Sequence, residues 1–227
     1  MRAALSPECH RLLESQDGVI TVSQAVSAGM TSKSVRDQVR AGRWQVMHRG
    51  VYAAFTGKPN RRAELWGMLL RLGPDAVLSH QSAAELWGLL NGPNPVIHVT
   101  VPYGSNPDRF GKIGGIVVHR SRLAQRARHP ALTPPRTRIE ETVLDLIDAA
   151  RDFDEAYDWI CRAIGRRRTT AARIRVAMAA RARMRWRLET EADVATWLSG
   201  RGPAVGHPCA AGCPVPSSCA DTTTYGH

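Results

Sequence analysis

Between residues 18 and 53 the chain alternates short apolar groups with turn formers, GVITVSQAVSAGMTSKSVRDQVRAGRWQVMHRGVYA. Val22, Ala25 and Val26 fall on the inward side of a short helix that Thr21 or Ser23 can cap, and Gly29 supplies the left-handed turn that ends it. Met30 fills the angle before Thr31 or Ser32 caps a second helix, which runs to about Ala41 and closes at Gly42. In that helix Val35 and Val39, four apart, form a packing side, whereas Lys33, Arg36 and Arg40 line another. Trp44 and Val46 then alternate with Arg43, Gln45 and Met47 as a strand, His48-Arg49-Gly50 turn, and Val51-Tyr52-Ala53 return. Two short helices, a tight turn and a hairpin predict a winged helix-turn-helix with Arg49 at the wing tip.

Past the turn formers Thr56 to Asn60 the period changes. Residues 61–72 form an amphipathic helix, and Ala83, Leu86, Trp87 and Leu90 predict another from Ser79 through Leu90. Residues 96–101 and 116–119 read as strands of one small sheet, separated by the polar loop Tyr103 to Lys112. Three helices follow, Ile139 to Ala150, Phe153 to Ile164, and Thr170 to about Arg187. In the first, Ile139, Val143, Leu144 and Ile147 form the apolar stripe, with Glu140, Glu141, Asp145 and Asp148 largely outside it; in the second, Phe153, Tyr157, Ile160 and Ile164 do the same. The expected fold class is α+β: an N-terminal winged helix-turn-helix (1–57), a mainly helical domain with a small sheet (58–187), and a Cys/Pro/Gly tail without regular structure (188–227).

Charge narrows the choice of partner. The chain carries a formal +11, with 31 basic against 20 acidic residues. Residues 1–60 hold eight basic and four acidic side chains, and residues 162–187 hold ten arginines and no acid. The first surplus sits on the predicted reading helix and wing, which makes Thr31, Lys33, Ser34, Arg36, Arg40, Arg43, His48 and Arg49 the candidate contacts to double-stranded DNA. Asp37, close to the basic stripe, opposes a phosphate unless it meets a cytosine amino group. A solvated basic face or a protein-docking use of the same motif is the plainer alternative. The later arginines either stay solvated on a helix packed through Ala, Ile and Met, or grip an acidic partner. A homodimer is a geometric expectation for readers of repeated half-sites.

Other classes of chemistry lack their signatures. There is no nucleophile elbow, paired-histidine protease motif or P-loop, and no acidic cluster with a lysine after a strand, so the chain is not expected to be an enzyme or to need a cofactor. Ser79 is expected as a helix cap rather than a partner of His80 and Glu85, and His98 and His119 as structural strand residues. His207, Cys209, Cys213 and Cys219 offer zinc ligands, but their spacing matches no paired knuckle, and no metal is expected. The N-terminus has no signal-peptide run and no apolar stretch reaches membrane-spanning length, so a cytoplasmic chain with reduced Cys9 and Cys161, away from membranes, is expected.

The stretch GVITVSQAVSAGMTSKSVRDQVRAGRWQVMHRGVYA resembles the N-terminal domain of the AbiEi antitoxin family, transcriptional regulators of type IV toxin-antitoxin systems. The likeness continues more weakly through AVLSHQSAAELWGL, VIHVTVP and TPPRTRIEETVLDLIDAA, over about residues 10–187. It implies a repressor of its own promoter whose second domain counters a nucleotidyltransferase-type toxin. Relatives often continue into a nuclease-like domain of the very-short-patch-repair type, and the tail is read as a frameshifted or truncated replacement for it. The alternatives are a protein-binding antitoxin or adaptor that reads no DNA, and a non-catalytic relative of that nuclease.

Overall fold

A computed structural model describes residues 5–105 and 114–199. The described residues form two compact units, one of residues up to Leu86 together with Leu90–Arg138, the other of Trp87–Leu89 together with residues from Ile139 on. Helices and two small three-stranded sheets make the fold α+β, with a helix-turn-helix-like N-terminal part.

In the first unit, helix α1 (Pro7–Ser15) starts at Ser6, whose hydroxyl accepts from the Cys9 N–H, and has proline in its first turn where no intrahelical donor is lost. Strand β1 (Val19–Thr21) leads into α2 (Val22–Ser27) through a full capping box between Thr21 and Gln24. Gly29, at φ 92°, reverses the chain into α3 (Ser32–Arg40), which ends at Ala41 with Gly42 at φ 66°. Strands β2 (Gln45–His48) and β3 (Val51–Ala53) form the hairpin, and the sheet order is β1-β3-β2, antiparallel throughout. Cys9, Leu13, Ile20, Ala25, Ala28, Val35 and Trp44 make the core under these helices, with Met30, Val39 and Tyr52 at its edge.

Two apolar positions differ from the sequence expectation. Val26 is 42% and Val46 60% exposed, because α2 is too short to bury more than Ala25 and because the strand begins one residue after Trp44, which alone of that pair turns inward.

Helix α4 (Arg61–Leu72) starts at Asn60, whose side chain accepts from Ala63 N–H. Its buried Leu65, Trp66, Met68, Leu69 and Leu72 share one core with Val19 and Val51 of the first sheet and with Ile97, Val99 and Val101 of the second. That second sheet contains β4 (Val77–Leu78), β5 (Ile97–Pro102) and β6 (Ile116–Ser121) in that order, β4 antiparallel and β6 parallel to β5. Helix α5 (His80–Leu86) is shorter than its apolar spacing predicts, since the chain turns at Trp87-Gly88 with Gly88 at φ 70°. A single turn, α6 (Ala124–Ala127), completes this unit's regular structure among the described residues.

The second unit packs α7 (Ile139–Ala149), α8 (Phe153–Gly165), α9 (Ala171–Ala179) and α10 (Arg187–Leu198) around Val143, Leu144, Ile147, Tyr157, Ile160, Ile174 and Met178. The helix expected over 170–187 stops at Ala179; residues 180–186 are irregular, and α10 begins only at Arg187. The break coincides with Arg181, which is only 12% exposed and reaches Glu141 (2.8 Å), Asp145 (2.7 Å) and Asp148 (3.2 Å), all on α7. The Arg185 backbone N–H adds a bond to Asp148 at 3.0 Å. Arg181 is therefore not solvated, and the acids of α7 are not an outer face: Glu140 is buried, held by Thr169 at 2.7 Å and Arg173 at 2.8 Å. Residues 188–198, expected within the structureless tail, are helical because Thr190 and Val194, four apart, are buried. The remaining tail with His207, Cys209, Cys213 and Cys219 lies outside the described residues.

Candidate nucleic-acid interface

At 100° per residue, Lys33, Arg36 and Arg40 fall within about 60° of one another around α3, and Val35 and Val39 are centred roughly 110° further round. The structure separates these two sides: Val35 is buried, Val39 packs at the edge of the core, and Lys33, Arg36 and Arg40 are exposed. Helix α3 is held by its apolar side while its cations face solvent. Arg43, just past the helix, is also exposed, with its Nε donating to Gln38 Oε1 at the end of α3. Arg49 stands exposed in the turn between β2 and β3, and its carbonyl accepts from Arg71 Nη1 at 3.4 Å.

Thr31 and Ser34 serve the helix first. The Thr31 hydroxyl accepts from Ser34 N–H at 3.0 Å and lies 2.8 Å from Ser34 Oγ, which fixes the start of α3. Asp37 sits on the cationic side, 3.6 Å from Arg40, with both side chains largely in water. His48 departs from the rest of the set. Its ring turns toward Gly67 of α4, where a β-carbon would meet it at 3.4 Å. Burial, then the charge of Arg71, pushes its pKa below the ordinary histidine value, so near neutral pH it adds no cation to the surface.

Contrary to the sequence expectation, Ser79 is a partner of His80. The Ser79 hydroxyl lies 3.0 Å from His80 Nδ1 and accepts from Thr100 at 2.7 Å, so these neighbours do face each other. Glu85 belongs elsewhere, paired with Arg61 at 3.0 Å. Nothing local signals that His80, His98 and His119 converge, because they come from α5, β5 and β6, which meet only in the tertiary structure.

The N-terminal part is thus a helix-turn-helix-like unit whose second helix buries one side and exposes cations on another. Residues 11–54 match the family described as transcriptional regulator, AbiEi antitoxin, the likeness read from the sequence, and the matched segment runs from within α1 to the end of the hairpin. No curated protein matches the chain. Among solved structures it is similar to the crystal structure of RV2827C protein from Mycobacterium tuberculosis, with 16% identity, 86% of this chain and 80% of that chain covered, and a TM-score of 0.48. Among the described residues no helix is long and apolar enough to cross a membrane.

Proposed function

We propose that the chain is a cytoplasmic, non-enzymatic DNA-binding regulator of the AbiEi antitoxin kind, which represses its own promoter and counters a nucleotidyltransferase-type toxin. In this reading α3 enters the major groove through Lys33, Arg36 and Arg40, while Arg43 and the wing residue Arg49 meet phosphates. Thr31 and Ser34 hold the N-terminus of α3, from which backbone N–H groups meet a phosphate. The observation that carries the reading is the two-sidedness of α3, with Val35 buried and three cations in water on the other side.

The test is fluorescence anisotropy on a duplex from upstream of the gene against a scrambled duplex, over a range of salt. If two of the three α3 cations meet phosphates along the groove beside Arg43 and Arg49, log K falls with log salt at a slope of roughly −4. The upstream duplex should bind more tightly than the scrambled one at every salt. Equal affinity for the two duplexes, or affinity indifferent to salt, would overturn the reading. For the toxin half, co-expression with a neighbouring nucleotidyltransferase should restore growth. Restoration that survives replacement of Lys33, Arg36 and Arg40 assigns that activity to residues other than the reading helix.

A further inference from the structure

His80, His98 and His119 are scattered along the sequence, and the second sheet brings them together. Thr100 on β5 pairs with His119 on β6, and side chains two apart on a strand share a face, so His98, Thr100 and His119 lie on one side of the sheet. The other side of β5, with Ile97, Val99 and Val101, belongs to the core over α4. His80 opens α5 directly after β4, at φ 46°, a left-handed conformation that a non-glycine residue adopts at a cost. In that conformation its ring stacks on His119 with centroids 3.7 Å apart and planes within 12°. His98 Nδ1 lies 3.1 Å from His119 Nε2, and one ligating nitrogen from each of the three rings lies within 4.8 Å of the others.

We propose that His80, His98 and His119 form a binding site for one divalent transition-metal ion, with Zn2+ as the best fit. Zn–N bonds of about 2.0–2.1 Å in a tetrahedral shell put neighbouring nitrogens roughly 3.3–3.4 Å apart, close to the His98–His119 separation. Three imidazoles without a carboxylate select Zn2+, Cu2+, Ni2+ or Co2+ over Mg2+ and Ca2+. All three residues are half-buried, which leaves the fourth position to water or an added ligand.

An outer layer supports the site. Ser79 Oγ, 3.0 Å from His80 Nδ1, is itself held by the Thr100 hydroxyl at 2.7 Å, the kind of contact that orients a ligating imidazole. The His98 N–H donates to Ser82 Oγ at 2.8 Å, fixing the strand beside it. Burial, then the charge of His98, holds His119 down to about 4, and burial also lowers His98, so both rings carry lone pairs near neutral pH. A shift of the stacked His80 ring that keeps Nδ1 on Ser79 Oγ and turns Nε2 toward His98 and His119 is the movement needed to close all three on one ion.

The full chain, stripped of metal by a chelator, is titrated with Zn2+ by calorimetry and with Co2+ by visible absorption. One ion per chain is expected, with Co2+ giving tetrahedral d–d bands and no thiolate charge-transfer band. The absence of that band separates the site from Cys209, Cys213 and Cys219 of the tail, as does binding that survives their replacement by Ser. His98→Asn or His119→Asn should weaken binding at least about tenfold. Zn2+ should also move the ring 15N signals of three histidines in the unaltered chain, a readout independent of whether a variant folds. No saturable binding of Zn2+ or Co2+, binding that persists in the His98→Asn, His119→Asn double variant, or 15N changes confined to other histidines would overturn the site.

Discussion

Asp37→Asn should tighten DNA binding, because it removes the one carboxylate on the cationic side of α3. The fold gains or loses little by it: Asp37 and Arg40, 3.6 Å apart, are 49% and 76% exposed, and such solvated pairs contribute about 0.2–1 kcal/mol at most. The effect on DNA is larger in relative terms. A carboxylate about 7 Å from a phosphate costs about 0.6 kcal/mol in a water-like dielectric, so the substitution should lower Kd about threefold at low salt. That gain should fade as the Debye length shrinks from about 10 Å at 0.1 M to about 3 Å at 1 M. Anisotropy titrations of the upstream and scrambled duplexes, across salt, read both numbers. Affinity unchanged at every salt, or weakened on both duplexes, would refute the placement of α3 against phosphates. Weakening on the upstream duplex alone would show that Asp37 accepts from a cytosine amino group and would refute the repulsion argument.

Arg36→Ala or Arg40→Ala should cost roughly 1–3 kcal/mol on the upstream duplex if either reads a base, whereas Arg49→Ala should weaken both duplexes alike and flatten the salt slope by about one. Arg181→Ala leaves Glu141, Asp145 and Asp148 without their common cation and should destabilise the second unit by about 3–5 kcal/mol in urea unfolding, a cost that a surface arginine would not show. Burial raises the Asp145 carboxyl to about 6 from 3.8, against the opposing pull of Arg181. The folded state then binds the extra proton between those values, so this residue's contribution is fully present below pH 3.8 and is lost as pH rises through about 6, a change on the order of 3 kcal/mol. Asp145→Asn should remove that fall, and an identical pH profile in variant and parent would contradict it. Gly18→Ala sets a β-carbon 2.8 Å from the Phe55 ring at φ 78°, and should lower the thermal midpoint by the equivalent of about 1–3 kcal/mol.

Local spacing was enough for much of this protein. The caps at Thr21 and Thr31, the left-handed glycines 29 and 42, and the separate apolar and cationic sides of α3 all follow from interactions within four residues of one another, and α4, α7 and α8 announce themselves by helical period. Features that rest on distant partners were not legible. Three-residue β1 has too little pattern to declare itself and exists through pairing with β3. His48 reads like its cationic neighbours until α4 packs against it, and α9 stops where Arg181 finds three carboxylates on α7. The histidine cluster is the extreme case. Its members are many residues apart, and only the register of β5 on β6 and the turn at His80 set their rings within reach, since periodicity records which side of an element is buried and not what stands across from it.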